Sequence, residues 1–335
     1  MNKRPFLSVL MPVYNAADFL AASVDSVLAS DVEDLELICV DDGSDDASVQ
    51  LIQTYTAKDS RVRLFTQAHA GVAVARNEAL MRAAGQYITF VDCDDVVTPS
   101  FFRELLEAAQ RTGAECVIAG WTVVSSGVVT PKPLVTSSSR RYRVTPAVLS
   151  KLPKNSWGCV YARALLERSC AHFPPGVSYG EDMVFNYCVW SNCSSIVLLP
   201  SVGYHYRLRE GSLSVAVSDT VADLMKGGEF LLDYWKRRCM LTEDNRENLL
   251  CFLVHSLRRA RSYGSRELVE RFEQWINVMV EKAGIEISDL DCLRNKDARA
   301  LWSILRGAST IRLGDRWRRV SRWVRHFFHK GALKS

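Results

Sequence analysis

The sequence predicts an α/β fold, a mostly parallel central sheet with flanking helices, followed by a mainly helical C-terminal region. Short apolar runs rich in branched residues alternate with segments of helical period through the first hundred or so residues. Two acid clusters, VDDGSDD and VDCDD, stand where such runs end, and open sheets of this kind bind ligands beyond the carboxyl ends of their strands. From Ser218 to about Gly307 the pattern turns to long amphipathic segments such as ENLLCFLVHSLRRARSYG and RELVERFEQWINVMVEKAG.

FLSVLMPVY (6–14) is the first predicted strand, and ADFLAASVDSVLAS (17–30) then sets Phe19, Leu20, Val24, Val27 and Leu28 at helical spacing. LELICV reads as strand, DASVQLIQTYTA as helix, RVRLF as strand, GVAVARNEALMRAAG as a helix closed by Gly85, and QYITFV as strand. Beyond Pro99, SFFRELLEAAQRTG reads as helix and ECVIAG as strand. The alternation lapses in TVVSSGVVTPKPLVTSSSRRYRV, whose Ser, Pro and Gly content predicts a loop or a loosely held hairpin. Order returns with SWGCVYARALLERS, GEDMVFNYCVW and SSIVLLP.

With 335 residues, 48% hydrophobic and 24% charged, the chain can bury a sizeable core as one large domain or two smaller ones. No window approaches the roughly 18 consecutive apolar residues of a membrane span. The start MNKRPFLSVLMPVYN has no long apolar segment followed by a small-residue cleavage site, so the chain is expected neither to span a membrane nor to be secreted. Ten cysteines are scattered without a Cys-x-x-Cys pair, several inside apolar runs, and are expected to be reduced core thiols. The net charge of +4 hides an asymmetry: residues 311–335 carry eight Lys or Arg against one acid, Asp315, a net +7 that leaves −3 for the rest. The body is therefore not a general polyanion binder.

In VDDGSDD, Asp45 or Asp46 suits the N-cap of the next helix, whereas Asp41 and Asp42 precede the Gly-Ser turn. A carboxylate at a parallel-strand end can accept hydrogen bonds from a sugar hydroxyl or a base N–H. The absence of G-x-G-x-x-G and G-x-x-x-x-G-K-[ST] disfavours a dinucleotide cofactor and a P-loop, leaving another nucleotide open. In VDCDD, Asp92, Asp94 and Asp95 would repel one another and raise each other's pKa unless a cation or donors offset the charge. Alternate spacing lets Asp92 and Asp94 serve different parts of one ligand, and a hard divalent ion, Mn2+ or Mg2+, carrying a diphosphate is the natural candidate. Asp95 is expected to cap the helix that starts near Thr98-Pro99.

Together, SVLMPVYNAADFLAASVDSVLAS, LELICVDDGSDD, GVAVARNEAL and GQYITFVDCDD, in this order and spacing, resemble the catalytic domain of glycosyltransferase family 2, inverting nucleotide-sugar-dependent transferases of the GT-A fold. The resemblance covers roughly residues 6–210 and is strongest in the first hundred. It implies a GT-A catalytic domain over 1–210, with a nucleotide-binding half 1–97 and an acceptor-binding half 98–210, ahead of the helical region 211–310. By the same resemblance Pro12, Tyr14 and Asn15 lie near the base, Asp42 pairs with uracil, and Arg76 of the ARN stretch lies near the nucleotide. Asp92 and Asp94 match the D-x-D pair for ribose and metal. YGEDMVF resembles the family's second acidic motif, making Asp182 the candidate base that takes the acceptor's proton, with Glu181 beside it contacting the acceptor. YHYRLREGSLS resembles a Tyr-rich, Arg-containing segment of the family. There His205 is a candidate to complete the metal shell or contact the phosphates, and Arg207 or Arg209 to hold the diphosphate. Trp157 in NSWGCVY is a candidate wall of the acceptor pocket, where an aromatic face suits a sugar ring.

IRLGDRWRRVSRWVRHFFHK places Leu313, Trp317, Val320, Val324 and Phe327 on one stripe, flanked by Arg316, Arg319 and Arg322. Such a basic amphipathic helix over 311–335 suits an anionic membrane surface, and nucleic acid is a poorer partner because no recognised module accompanies it. The expected protein is a metal-dependent hexosyl- or N-acetylhexosaminyltransferase, cytoplasmic and peripheral on the inner face of the cell membrane. It would move one sugar from a nucleotide-sugar, UDP-linked by expectation, to a lipid-linked or lipopolysaccharide glycan, forming a beta linkage. The alternative is a catalytically silent module of the same fold that binds a partner or membrane through its helical half.

Overall fold

A computed structural model describes residues 5–208 and 220–285. Strands β1 (Leu7–Val13), β2 (Leu35–Asp41), β3 (Val62–Thr66) and β4 (Tyr87–Phe90) lie in the order β3-β2-β1-β4, all parallel. Helices α1 (Ala17–Leu28), α2 (Ser48–Thr56) and α3 (Val72–Arg82) make the crossovers. β1 is buried at all seven positions, as a central strand covered on both faces must be. Pro12 is tolerated there because β4 pairs with β1 only as far as Leu10–Phe90, so a missing N–H on that side costs no ladder bond. α3 ends at Arg82, three residues short of the expected stop, and Gly85 has a different task. A Cβ at Gly85 would lie 2.5 Å from the Ser8 backbone nitrogen, so the glycine permits close packing against β1.

The second half of the sheet is mixed. β5 (Val96–Val97), β6 (Cys116–Ser125), β7 (Val128–Lys132), β8 (Arg140–Arg143), β9 (Cys159–Ala162) and β10 (Ser195–Arg207) complete ten strands among the described residues. β9 joins β4 to β6 with antiparallel pairing on both sides, and β10 runs parallel to β6. The stretch expected as a loop or hairpin is a hairpin: β6 continues to Ser125 and returns as β7, turning at Ser126 and Gly127, both with positive φ. Helix α4 (Phe101–Thr112) covers one face, ended by Gly113 at φ 64°. Short helices α5 (Pro146–Leu149) and α6 (Arg163–Ser169) lead to α7 (Glu181–Trp190), which is buried at nine of its ten positions.

α8 (Asp223–Arg237), α9 (Glu243–Tyr263) and α10 (Arg266–Ala283) form the C-terminal helical region, with Thr242 and Ser265 capping the last two. Trp235, Phe252, Phe272 and Ile276 from these helices share one hydrophobic core with Tyr187 and Trp190 of α7 and with the sheet. The nine described cysteines are free, and burial pushes the Cys39 and Cys159 thiols up to about 12, as packing groups without reactivity. Arg209 and the whole segment 311–335 lie outside the described residues. Among the described residues no helix is long and apolar enough to cross a membrane.

Candidate active site

The loops after β1 and β2 are tied together beyond the carboxyl ends of the sheet. Asn15, at φ 46°, donates its N–H to Ser44 Oγ (2.9 Å), and its own Oδ1 accepts from Asp45 N (3.0 Å). Asp46 accepts from Ser48 N (2.9 Å) at the start of α2 and from Ala17 N (3.0 Å), so it serves two helix starts. Asp41 Oδ2 accepts from Gly43 N and Ser44 N at 3.1 Å, while its Oδ1 is buried without a partner. Asp42 is fully engaged: Oδ1 accepts from Gln67 Nε2 (2.6 Å) and Ala70 N (2.9 Å), and Oδ2 from Gly71 N (2.8 Å) with His69 Nδ1 at 2.9 Å. Asp42, expected to face uracil, is thus spent in this structure on the loop between β3 and α3. Tyr14 stays 46% exposed and stacks on His69, ring centroids 4.3 Å apart, leaving an aromatic surface at the rim.

Arg76 on α3 is the hub of the site. The residue is 3% exposed, and its guanidinium reaches Asp92 Oδ1 (2.8 Å), Glu181 Oε1 (2.7 Å) and Asp182 Oδ1 (2.9 Å). Burial works against its charge, and Asp182, Asp92 and Glu181 outweigh that and hold its pKa well above the ordinary range. One cation therefore joins two acidic motifs separated by about ninety positions of chain. Gly180, at φ 85°, makes the left-handed turn that lets Glu181 and Asp182 open α7 and meet it. Burial, then the Asp182 charge, pushes the Glu181 carboxyl up to about 8 against the pull of Arg76, so Glu181 holds a proton at neutral pH.

Asp95 does not cap the next helix. It is wholly buried, accepting from Tyr204 Oη (2.7 Å) and Arg207 N (2.8 Å), and burial with the nearby Asp92 and Asp94 charges raises it to about 8. Ser100 holds the N-cap position of α4, whereas β10 takes up the Asp95 carboxyl through Tyr204 and the Arg207 N–H. Tyr204 Oη also accepts from Asp92 N (3.2 Å). The Arg207 guanidinium donates to the Asp94 carbonyl and lies over the Phe19 ring, so it fixes the D-x-D loop to α1. β10 sets His205 opposite Val96, next to Asp95, and burial lowers its pKa, favouring the neutral imidazole that a metal requires.

Among the described residues no three His, Cys, Asp or Glu form a ready cage for a metal. An ion held by one or two carboxylates, its shell completed by diphosphate and water, needs no such cage. Asp94, partly open beside Asp92, fits that arrangement, while Asp92 is already turned to Arg76. A bound divalent ion would supply charge neutralisation for a departing diphosphate.

On the other side of Asp182 stands the loop before β9. Ser156 Oγ donates to Asp182 Oδ1 (2.8 Å), the oxygen that Arg76 also holds. Trp157 stacks on Tyr204 (4.5 Å, 10°) and Tyr206 (5.4 Å, 14°) and meets the edge of Trp121 at 5.8 Å. At 9% exposure it offers little open face, so it builds the wall more than it lines a pocket.

A model of the family described as Glycosyl transferase family 2 matches residues 8–171, which include both the VDDGSDD and VDCDD loops, Arg76 and Ser156. Over these residues the chain is similar to glycosyltransferase family 2. The family 2 match ends ten positions short of Glu181, so the second acidic motif rests on the geometry around Arg76. The chain is 30% identical over 217 residues to the glycosyltransferase EpsJ of Bacillus subtilis, 63% of each chain, so it spans less than two thirds of that relative. It is 29% identical over 234 residues to the succinoglycan biosynthesis protein ExoO of Rhizobium meliloti, 64% of each chain. In structure it resembles S. aureus TarS, solved in complex with UDP-GlcNAc, with a TM-score of 0.71 at 18% identity, covering 89% of this chain and 87% of that one. That likeness establishes the GT-A fold.

Sequence reasoning placed Arg76, Asp92, Glu181 and Asp182 as separate candidates, and the structure brings them to one point. It missed Ser156, His69, Gln67 and Tyr204. Two of these lay in stretches already singled out, Ser156 as the neighbour of Trp157 and Tyr204 as the first residue of the Tyr-rich YHYRLREGSLS.

Proposed function

We propose that this chain is an inverting, metal-dependent transferase that moves one hexosyl or N-acetylhexosaminyl unit from a UDP-sugar to a glycan acceptor. The observation that carries the reading is the convergence of Asp92 and Asp182 on Arg76, which sets a donor-side acid and a proton acceptor on one rigid centre. Asp182 takes the proton of the acceptor hydroxyl as its oxygen bonds to the anomeric carbon. The bond from that carbon to the diphosphate breaks with its electron pair leaving on the nucleoside diphosphate. Attack opposite the leaving group on an alpha-linked donor gives a beta linkage. Asp94 and Asp92, with His205 as a further candidate, would hold Mn2+ or Mg2+, and Tyr14 offers a face for the base.

A lipid-linked or lipopolysaccharide acceptor fits this proposal, since a bacterial relative such as ExoO is named for succinoglycan biosynthesis. The test is a hydrolysis and transfer screen over UDP-Glc, UDP-Gal, UDP-GlcNAc, UDP-GalNAc and UDP-GlcA, with and without Mn2+. One donor should be turned over, the rate should depend on the metal, and Asp94→Ala should cost at least about 10²-fold, the scale of losing electrostatic stabilisation of the leaving group. Turnover of none, with no thermal stabilisation by UDP and Mn2+, would favour the silent module. Attachment to the inner membrane face through residues 311–335 belongs to the same proposal. A chain ending at Thr310 should leave the membrane fraction on sedimentation, and unchanged sedimentation would refute the attachment.

A further inference from the structure

We propose that Ser156 is a positioning residue for the general base, holding Asp182 Oδ1 so that Oδ2 is the atom that receives the acceptor's proton. The inference rests on the reading of Asp182 as base and adds which oxygen works and what fixes it. Ser156 has no exposed surface, and its Oγ donates to Asp182 Oδ1 at 2.8 Å. Arg76 Nη1 reaches the same oxygen at 2.9 Å. Oδ2 carries no hydrogen bond from any described residue, and the side chain keeps 18% of its surface open. Two donors on one oxygen remove the near-equivalence of the two carboxylate oxygens and leave one lone-pair edge for an incoming hydroxyl.

The hydroxyl is itself held by the helix that carries the base. Asn186, one turn along α7 from Asp182, donates Nδ2 to Lys154 O (3.1 Å) and Asn155 O (2.9 Å). Its Oδ1 accepts from Tyr161 Oη (2.7 Å), and Tyr161 belongs to β9. The loop carrying Ser156 is therefore locked to α7 and to the sheet, so base and partner move as one body. Trp157, the next residue, stacks on Tyr204, whose hydroxyl meets Asp95 and the Asp92 backbone. This continuous wall runs from the base to the D-x-D loop, and Ser156 is its contact with the base.

The experiment uses the full chain with the UDP-sugar that the donor screen shows to be turned over. Ser156→Ala should lower kcat about 10- to 100-fold, the scale of a misplaced catalytic group, with donor KM within about twofold. The acid limb of kcat/KM should move to higher pH, because the ionised carboxylate has lost a donor. Ser156→Cys, a weaker donor of similar size, should fall between the two and guards against a folding defect in the alanine variant. Wild-type kcat and an unmoved acid limb in Ser156→Ala, with Asp182→Asn inactive, overturn the role of Ser156 and leave the base reading standing. A fall in kcat without movement of the limb, matched by a lower melting temperature in both variants, makes Ser156 merely structural and overturns it too. Activity in Asp182→Asn instead removes the reading beneath it.

Discussion

Asp182→Asn should lower kcat about 10²- to 10⁴-fold, the usual contribution of a general base, while donor KM changes by no more than about threefold. The amide keeps the size and the Oδ1 acceptor that Ser156 and Arg76 hold, so the loop and α7 stay in register. It puts an N–H₂ in place of Oδ2, where no proton can be received. Loss confined to kcat is what distinguishes a proton acceptor from a residue that binds the donor. The acid limb of the kcat/KM profile should vanish with the carboxylate. Steady-state kinetics with the UDP-sugar found in the screen checks both, and near-normal kcat in this variant removes Asp182 from the role. Glu181 is a poor substitute for it, because a carboxyl raised to about 8 is protonated where the enzyme would work.

The parallel half of the fold was legible because its signals are local. Each βα unit declares itself by a branched apolar run followed by helical spacing, and the acids that end those runs fall beyond the strands, as the fold rule requires. The mixed half was less so. β6 and β10 run on past ECVIAG and SSIVLLP as half-exposed strands whose pairing is decided by partners far away in sequence. The fate of Asp95 could not be read because its partners, Tyr204 and the Arg207 N–H, arrive from a strand more than a hundred positions later. The same holds for Asp42, whose local context marks a strand-end acid without showing that the loop Gln67–Gly71 would take up both of its oxygens. Local chemistry thus identified which residues would gather, and long-range pairing decided what each of them touches.

Arg76→Met should produce the largest stability loss of any single change in the site. Methionine keeps the apolar stem against Phe173, over whose ring the guanidinium sits at 5.4 Å, so packing changes little. What is lost is the cation common to Asp92, Glu181 and Asp182, and removing one partner of a buried ion pair costs about 3–5 kcal/mol. The loss must depend on pH, and its sign follows from proton linkage. Glu181, raised to about 8 in the fold from an ordinary value of 4.5, holds a proton that the unfolded chain has already released, so its contribution to stability falls as pH rises between those limits. Without Arg76, the charge that opposes burial at Asp92 is gone as well, and its carboxyl is pushed further in the same upward direction. The variant therefore pays little near pH 5, where neutral carboxyls need no cation, and the full cost near pH 8. Urea unfolding of both proteins at the two pH values measures the difference. A loss equal at both, or one below about 1 kcal/mol at pH 8 as for an exposed pair, would show that Arg76 is not the electrostatic centre of the site. A folded but inactive variant at pH 5 would show instead that the guanidinium has a second task, holding Asp92 and Asp182 in place when donor and acceptor are bound.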